Sequence, residues 1–401
     1  MSYAWAITIV IGTYFAGTYL SKVTRGRIGS SLFCTFVFLI AFNLNIFPRD
    51  IVAKADLSGM YNFVMLTLLV NIGSTFDLKM LKNEWRLVVS VLLGIVGMAV
   101  AIVGIGGFFF GELAVLSFPT LVGGSIATQL MVESATEKGL IEMAALIVLI
   151  NSVQAWLGMP LISYGVRKEA NRMLGIYRKT GQAVPANRFA IMDSKVQSES
   201  TETTFFDKFL PKQCQNTFFY LFITSLCGAA ATVIAKYTSA MTGGILGSAI
   251  IGLFLGCGLT HFGILPKDPL KKSGLLDFMM FVLIVVLRGK LGDLSMATLA
   301  ASVVPIAGIV ILGALGMLVI AIPVGRKLGF STGMCVAFGM GCYCSYPTNY
   351  QIASEIINVL AEKSEEKEHL EKEILTRVVE GSIISVSMTS AMIAGLMAGF
   401  V

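Results

Sequence analysis

Apolar runs of about twenty residues recur along the whole chain, separated by short polar stretches. Twelve such segments run roughly 4–21, 28–47, 59–76, 87–110, 119–136, 140–166, 216–235, 241–264, 274–289, 298–324, 331–356 and 378–400. At 1.5 Å per residue, about twenty helical residues span the ~30 Å hydrocarbon core of a bilayer. Strands of a membrane barrel would alternate apolar and polar positions, and these segments do not. The pattern predicts an all-α polytopic membrane protein embedded in a lipid bilayer.

Composition agrees. The chain is 55% hydrophobic and only 13% charged, against roughly 25% charged in soluble domains. The net charge of +6 sits in the loops between apolar runs, so it marks topology and not a nucleic-acid partner. Cysteines 34, 214, 227, 257, 335, 342 and 344 fall mostly in apolar segments and read as small hydrophobes. The first segment follows no basic residue and reads as a retained helix, not a signal peptide.

The basic residues also choose a topology. The stretch 167–212 holds nine Lys or Arg residues and divides the chain into two groups of six segments. If all twelve crossed, the basic stretches 22–27 and 167–212 would lie on opposite sides. If 119–136 and 331–356 instead enter and return on one side, 24 of the 30 Lys and Arg residues become cytoplasmic. Each half then has five crossings and one re-entrant hairpin, the halves insert with opposite orientation, and both termini lie outside. The predicted organisation is a first inverted repeat over 1–166, a cytoplasmic connection over 167–215, and a second repeat over 216–401, as in secondary transporters. A charged run, 362–377, is expected to form a solvated helical arm.

Short internal matches support the repeat. Residues 70-VNIGSTFDL-78 align with 286-VLRGKLGDL-294, and 125-SIATQ-129 aligns with 345-SYPTN-349. The second pair falls in the two suspected hairpins. Ser125, Thr128 and Gln129 correspond to Ser345, Thr348 and Asn349, a set of hydroxyl and amide groups suited to small ions and polar solutes. Gly123 and Gly124, with Gly339 and Gly341, allow close backbone approach, and Pro347 breaks a helix. Such breaks expose N–H groups to a carboxylate and carbonyls to a cation. The plainer alternative is that these hydroxyls and amides only bond helix to helix.

Among ionisable residues, Glu133, with Gly124, Gly341, Asp77 and Asp293, is a candidate for coupling to an ion. Glu142 fits an interface position equally well. Glu380 has an i,i+3 partner in Arg377 as its bland reading, and Arg288 has snorkelling. Cys342 and Cys344 lack a second ligand pair and form no metal site. No nucleotide-binding loop, nucleophile elbow or zincin motif is present, so the chain is not expected to be an enzyme or to need a cofactor.

The layout, with the stretches 59-GMYNFVMLTLLVNIGSTFDLKML-81, 121-LVGGSIATQ-129 and 346-YPTN-349, resembles the bacterial sodium–glutamate symporter family. That resemblance implies a homodimeric carrier in the bacterial inner membrane. It implies alternating access, in which a mobile domain holding both hairpins moves a small anionic or zwitterionic solute, an amino acid such as glutamate or another carboxylate, with Na⁺. H⁺ coupling, export by antiport, and a non-transporting sensor stay open. The sequence departs from the family at Ser125, Ile126 and Ala127, and at Cys342, Tyr343 and Cys344, which stand where the family is richer in glycine.

Overall fold

The computed structural model describes residues 2–24, 30–75, 84–180, 185–187, 215–242, 248–344, 346–385 and 389–400. Asp77 and Ser345 lie outside the described residues. The fold is all-helical, and among the described residues five helices are long and apolar enough to cross a membrane: Tyr3–Leu20, Trp85–Phe110, Ile141–Thr180, Thr217–Thr238 and Met296–Lys327. These are the helices of a membrane-embedded protein.

In chain order the main helices are α1 (Tyr3–Val23), α2 (Ser30–Asn43), α3 (Tyr61–Thr75), α4 (Trp85–Phe110, with a π turn at Val100–Gly106), α5 (Glu112–Val122), α6 (Ser125–Glu137) and α7 (Ile141–Thr180). They continue as α8 (Thr217–Thr242), α9 (Ser248–His261), α10 (Leu276–Gly289), α11 (Met296–Lys327), α12 (Thr332–Gly339), α13 (Tyr346–Leu360), α14 (Ser364–Leu370), α15 (Thr376–Ile384) and α16 (Ser390–Phe400).

Glycine sets how closely the long helices approach. α4 and α11 run antiparallel. A Cβ built on Gly94 would lie 2.6 Å from the Met317 sulfur, one on Gly316 2.6 Å from the Ala101 Cβ, and one on Gly106 3.3 Å from Leu312. Without a side chain at these points, backbones come close enough for dense packing, which is what holds helices together in lipid. The same device pins α7 to α12: a Cβ on Gly165 would sit 2.7 Å from the Ala337 amide nitrogen and the Gly333 carbonyl oxygen.

Several boundaries differ from the sequence expectation. The segment 140–166 continues as helix to Thr180, because Ala170, Met173 and Leu174 extend its buried face into the polar stretch. The segment 119–136 is two helices and starts earlier, at Glu112, after a turn at Gly111 with φ 64°. The segment 331–356 is likewise two helices, α12 with a 3-10 turn at Met340–Tyr343 and then α13 to Leu360.

The charged run 362–377 is helical as expected, but it is clamped and not a free solvated arm. Glu366 and Leu370 are buried. Arg178, at the end of α7, donates to Glu366 at 2.8 and 2.9 Å, and the Glu362 amide donates to the same carboxylate at 2.9 Å. The Arg178 guanidinium, followed by the Glu362 amide, holds the Glu366 carboxyl down to about 2. A carboxyl depressed on folding contributes stability above its unfolded value of about 4.3 and loses it as pH falls through the folded value. Hydrogen exchange in 360–375 is therefore expected to quicken between pH 4 and pH 2, relative to the intrinsic rate. Glu366→Gln should show that faster exchange already at neutral pH. Slow exchange in the variant would remove the clamp.

Candidate functional site

Two helix breaks bring backbone and amide groups together in the interior. At the first, α5 doubles back along α4: a Cβ on Gly107 would lie 3.6 Å from Val115. The chain then passes through Gly123 (φ 122°, ψ 155°) and Gly124 (φ 94°, ψ 137°) before α6 begins at Ser125. Both residues lie in a region that side chains rarely adopt, so these two positions require glycine. α5 and α6 pack on each other, and both pack on α7 and α16. Gly124→Ala is expected to cost about 1–3 kcal/mol through backbone strain alone. The melting temperature of the purified protein measures it, and an unchanged value would refute the assigned backbone.

The second break is built differently. α12 rises along α7 from Ser331, whose hydroxyl bonds the Glu169 carboxylate, and its tip reaches Gly158, where a built Cβ would lie 2.6 Å from the Tyr343 Cβ. α13 then runs back along the same helix, so that the Leu360 carbonyl accepts from Arg178 at 3.3 Å. Both limbs thus end near the same end of α7. No glycine here has positive φ. Gly341 is instead required by proximity, since a Cβ on it would lie 2.8 Å from the Ser382 hydroxyl of α15.

Asn349 closes this tip. It is fully buried, and its amide nitrogen reaches the Gly341 carbonyl at 2.8 Å, the Cys344 carbonyl at 3.3 Å and the Ser382 hydroxyl at 2.6 Å. The Gly341 carbonyl otherwise receives only a long 3.4 Å bond from the Cys344 amide, so Asn349 strengthens the bonding at the break. Gln129, its partner in the internal match, has diverged. It is 4% exposed and lies beside Tyr61 of α3, whose hydroxyl donates to Glu133 at 3.2 Å.

The two tips meet. A Cβ on Gly313 of α11 would lie 2.5 Å from the Tyr343 hydroxyl and 3.3 Å from Leu121 of α5. Tyr343 donates to the Val310 carbonyl at 2.7 Å, which fixes the second tip against α11. On the α7 side, the Cys344 thiol points at the Ala155 carbonyl at 3.9 Å.

Around these tips, buried oxygens are left without partners. They are Thr120 Oγ1, Gln129 Oε1, Gln154 Oε1 and Asn349 Oδ1. An orphaned buried acceptor costs about 1–3 kcal/mol, and each needs an explanation such as a bound ion or water. All four are neutral oxygens, the donor type that hard monovalent and divalent cations prefer. Gln154, with Asn151 3.5 Å from its amide nitrogen, was not among the sequence candidates. The signal was two amides one helical turn apart in the apolar run 140–166. Thr120, Tyr61 and Ser382 were missed as well, because single hydroxyls in apolar helices are common.

The remaining predicted residues are placed as follows. Thr128 is buried and its hydroxyl returns to the Gly124 carbonyl at 3.1 Å, while Ser125 is half-buried at the start of α6. Thr348 is half-buried in the first turn of α13. Glu133 is half-buried two turns outward from the first tip. Asp293 is exposed at the end of a 3-10 turn and is not brought to the tips. Glu142 is exposed.

Two bland readings are overturned. Arg377 pairs with Glu373 at 2.7 Å, one helical turn before it, and with Glu84 at 3.5 Å, and not with Glu380. Arg288 does not snorkel. It is fully buried and donates to Thr35 of α2 at 3.3 Å, and Thr35 shares a 2.6 Å hydrogen bond with Ser152 of α7. Its own helix, α2 and α7 enclose the side chain, which is 0% exposed. No family model matches the chain, and no curated protein matches it.

Proposed function

We propose that this chain is a secondary active transporter that moves a small anionic or zwitterionic solute with Na⁺ by alternating access. In this reading the pairs α5–α6 and α12–α13 are re-entrant hairpins entering from opposite sides of the membrane, as two inverted repeats require. The observation that carries the reading is the meeting of two broken helices around buried, unpartnered amide oxygens at Gln129, Gln154 and Asn349. Irregular backbone at membrane depth survives only where protein or a polar cavity surrounds it. Neutral oxygens there suit Na⁺ and the N–H groups of a solute. The buried Arg288 charge, tied through Thr35 to the stretch of α7 that carries Asn151 and Gln154, favours an anionic group nearby.

Thermal stability of the purified protein tests this, with Na⁺ or K⁺ present, against a panel of amino acids and carboxylates. A solute at 100 times its Kd stabilises by about 2.7 kcal/mol through mass action. The expected result is one solute that stabilises far more in Na⁺ than in K⁺, because the two sites are coupled. If Na⁺ changes no ligand's effect at any pH, sodium symport fails. Cysteines flanking each hairpin test re-entry: those at Glu112 and Lys138 should be labelled from one side of the membrane, and those at Lys327 and Lys363 from the other, all four positions being exposed. Labelling from opposite sides within either pair would refute re-entry.

A further inference from the structure

The base of the second hairpin carries a cavity that the proposed transport site does not use. It has a volume of about 310 Å³ and is lined by α7, the end of α11 and the start of α12. Three cationic side chains rim it: Lys168, Arg172 and Arg326. Its floor holds one acid, Glu169, which is 1% exposed.

That acid is already satisfied. Arg172 donates to it at 2.6 and 3.1 Å, and the Ser331 hydroxyl bonds it as well. The other two cations are not neutralised in this way. Among the described residues Lys168 approaches the Tyr164 hydroxyl alone, at 3.2 Å, and lies over its ring. Among the described residues neither Lys168 nor Arg326 forms an ion pair. The half-open cavity therefore has two positive charges on its rim that no acid among the described residues neutralises.

The backbone adds donors of the same sign. Thr332 and Gly333 open α12, and the first amides of a helix have no intrahelical acceptor. Gly333 lets this helix start lie against α7, since a Cβ there would sit 3.0 Å from the Gly165 carbonyl oxygen. Guanidinium, ammonium and helix-start amides around one space are the donor set that holds a phosphate group.

The structure assigns this cavity as a binding site for a phosphate-bearing anion, at the joint between the second hairpin and α7. The cations stand where the apolar stretches 140–166 and 298–324 end, which is the depth of phospholipid headgroups. A free phosphate ion has the same recognition chemistry. Either occupant would bridge α11 and α7 across the root of α12, and so resist movement of that hairpin.

The test uses the full chain purified in neutral detergent. Its melting temperature is followed against inorganic phosphate, against short-chain phosphatidylglycerol and against short-chain phosphatidylcholine. Saturable stabilisation by phosphatidylglycerol but not phosphatidylcholine supports a headgroup site, and stabilisation by phosphate alone supports a free-anion site. Lys168→Gln and Arg326→Gln, both at exposed positions, should each weaken binding about fivefold. Their melting temperatures without anion should match the parent. For the unmodified protein, affinity should also fall as NaCl rises, because the charges are rim-exposed. The proposal is overturned if neither anion stabilises saturably, if phosphatidylcholine acts as well as phosphatidylglycerol, or if both variants bind like the parent.

Discussion

Gly73→Ala is expected to lower the melting temperature markedly, although it adds a single methyl. Where α3 crosses α9, a Cβ on Gly73 would overlap the Leu253 carbonyl oxygen, and a Cβ on Gly256 would overlap the Val70 carbonyl oxygen. The contact is reciprocal and backbone to backbone, so no flexible side chain can yield. The helices must separate, and the shift spreads. Asn71, two residues away, donates to Asp268 at 2.9 Å and accepts from the Leu270 amide at 2.8 Å, which ties α3 to the short helix Pro269–Ser273. Overpacking of this kind costs about 1–3 kcal/mol and occasionally more. The expected fall in melting temperature is about 1–4 °C, and more if the cost exceeds that range. Gly256→Ala should act alike, and the double variant should cost less than the sum, since both methyls force one separation. Gly104, with nothing within 4 Å of its Cβ position, is the control. If Gly73→Ala melts with Gly104→Ala, the crossing of α3 and α9 is not as described.

Gln129→Leu and Asn349→Ala are expected to fail in opposite ways. Asn349 serves three acceptors at the second tip. Removing it strands the Cys344 carbonyl and weakens the bonding of the Gly341 carbonyl, for about 1–3 kcal/mol of lost stability. Gln129 keeps a buried oxygen without a partner. An apolar side chain of similar size relieves that cost, so Gln129→Leu should melt at or above the parent temperature. It should also abolish the Na⁺-dependent part of solute stabilisation, and transport with it. The same melts in Na⁺ and K⁺, with and without solute, read both outcomes. A Gln129→Leu protein that keeps its Na⁺-linked response would remove Gln129 from the site. An Asn349→Ala protein of parent stability would refute the closed tip.

The 59–76 and 87–110 runs announced α3 and α4, because lipid admits few apolar solutions besides helices. The charge bias singled out 119–136 and 331–356, and both contain helix breaks. The polar residues in those runs pointed to Gln129 and Asn349. Their different duties were not readable, since one amide found carbonyls across a 3-10 turn and the other found Tyr61 on a distant helix. Gln154 and Asn151 were hidden in a run whose remaining residues satisfy an ordinary spanning helix.

Arg288 illustrates the same limit. In sequence it is a lone cation at the end of an apolar segment, where snorkelling costs least. Only the packing of α2, α7 and α10 determines that it is enclosed, with Thr35 as its neighbour. The extension of α7 to Thr180 depends on Glu366 and on the second hairpin, which lie nearly two hundred residues away.

What the sequence by itself determined is the helical, membrane-embedded character and the places where helices must break. Those follow from local chemistry: apolar runs must hide backbone polarity within one segment, and paired glycines permit dihedrals that other residues do not. The tertiary structure alone decided which oxygens are left unpartnered, which glycines touch a neighbouring backbone, and which charges are clamped or enclosed. Each of those depends on atoms contributed by segments far apart in the chain, and no local pattern encodes the distance between them.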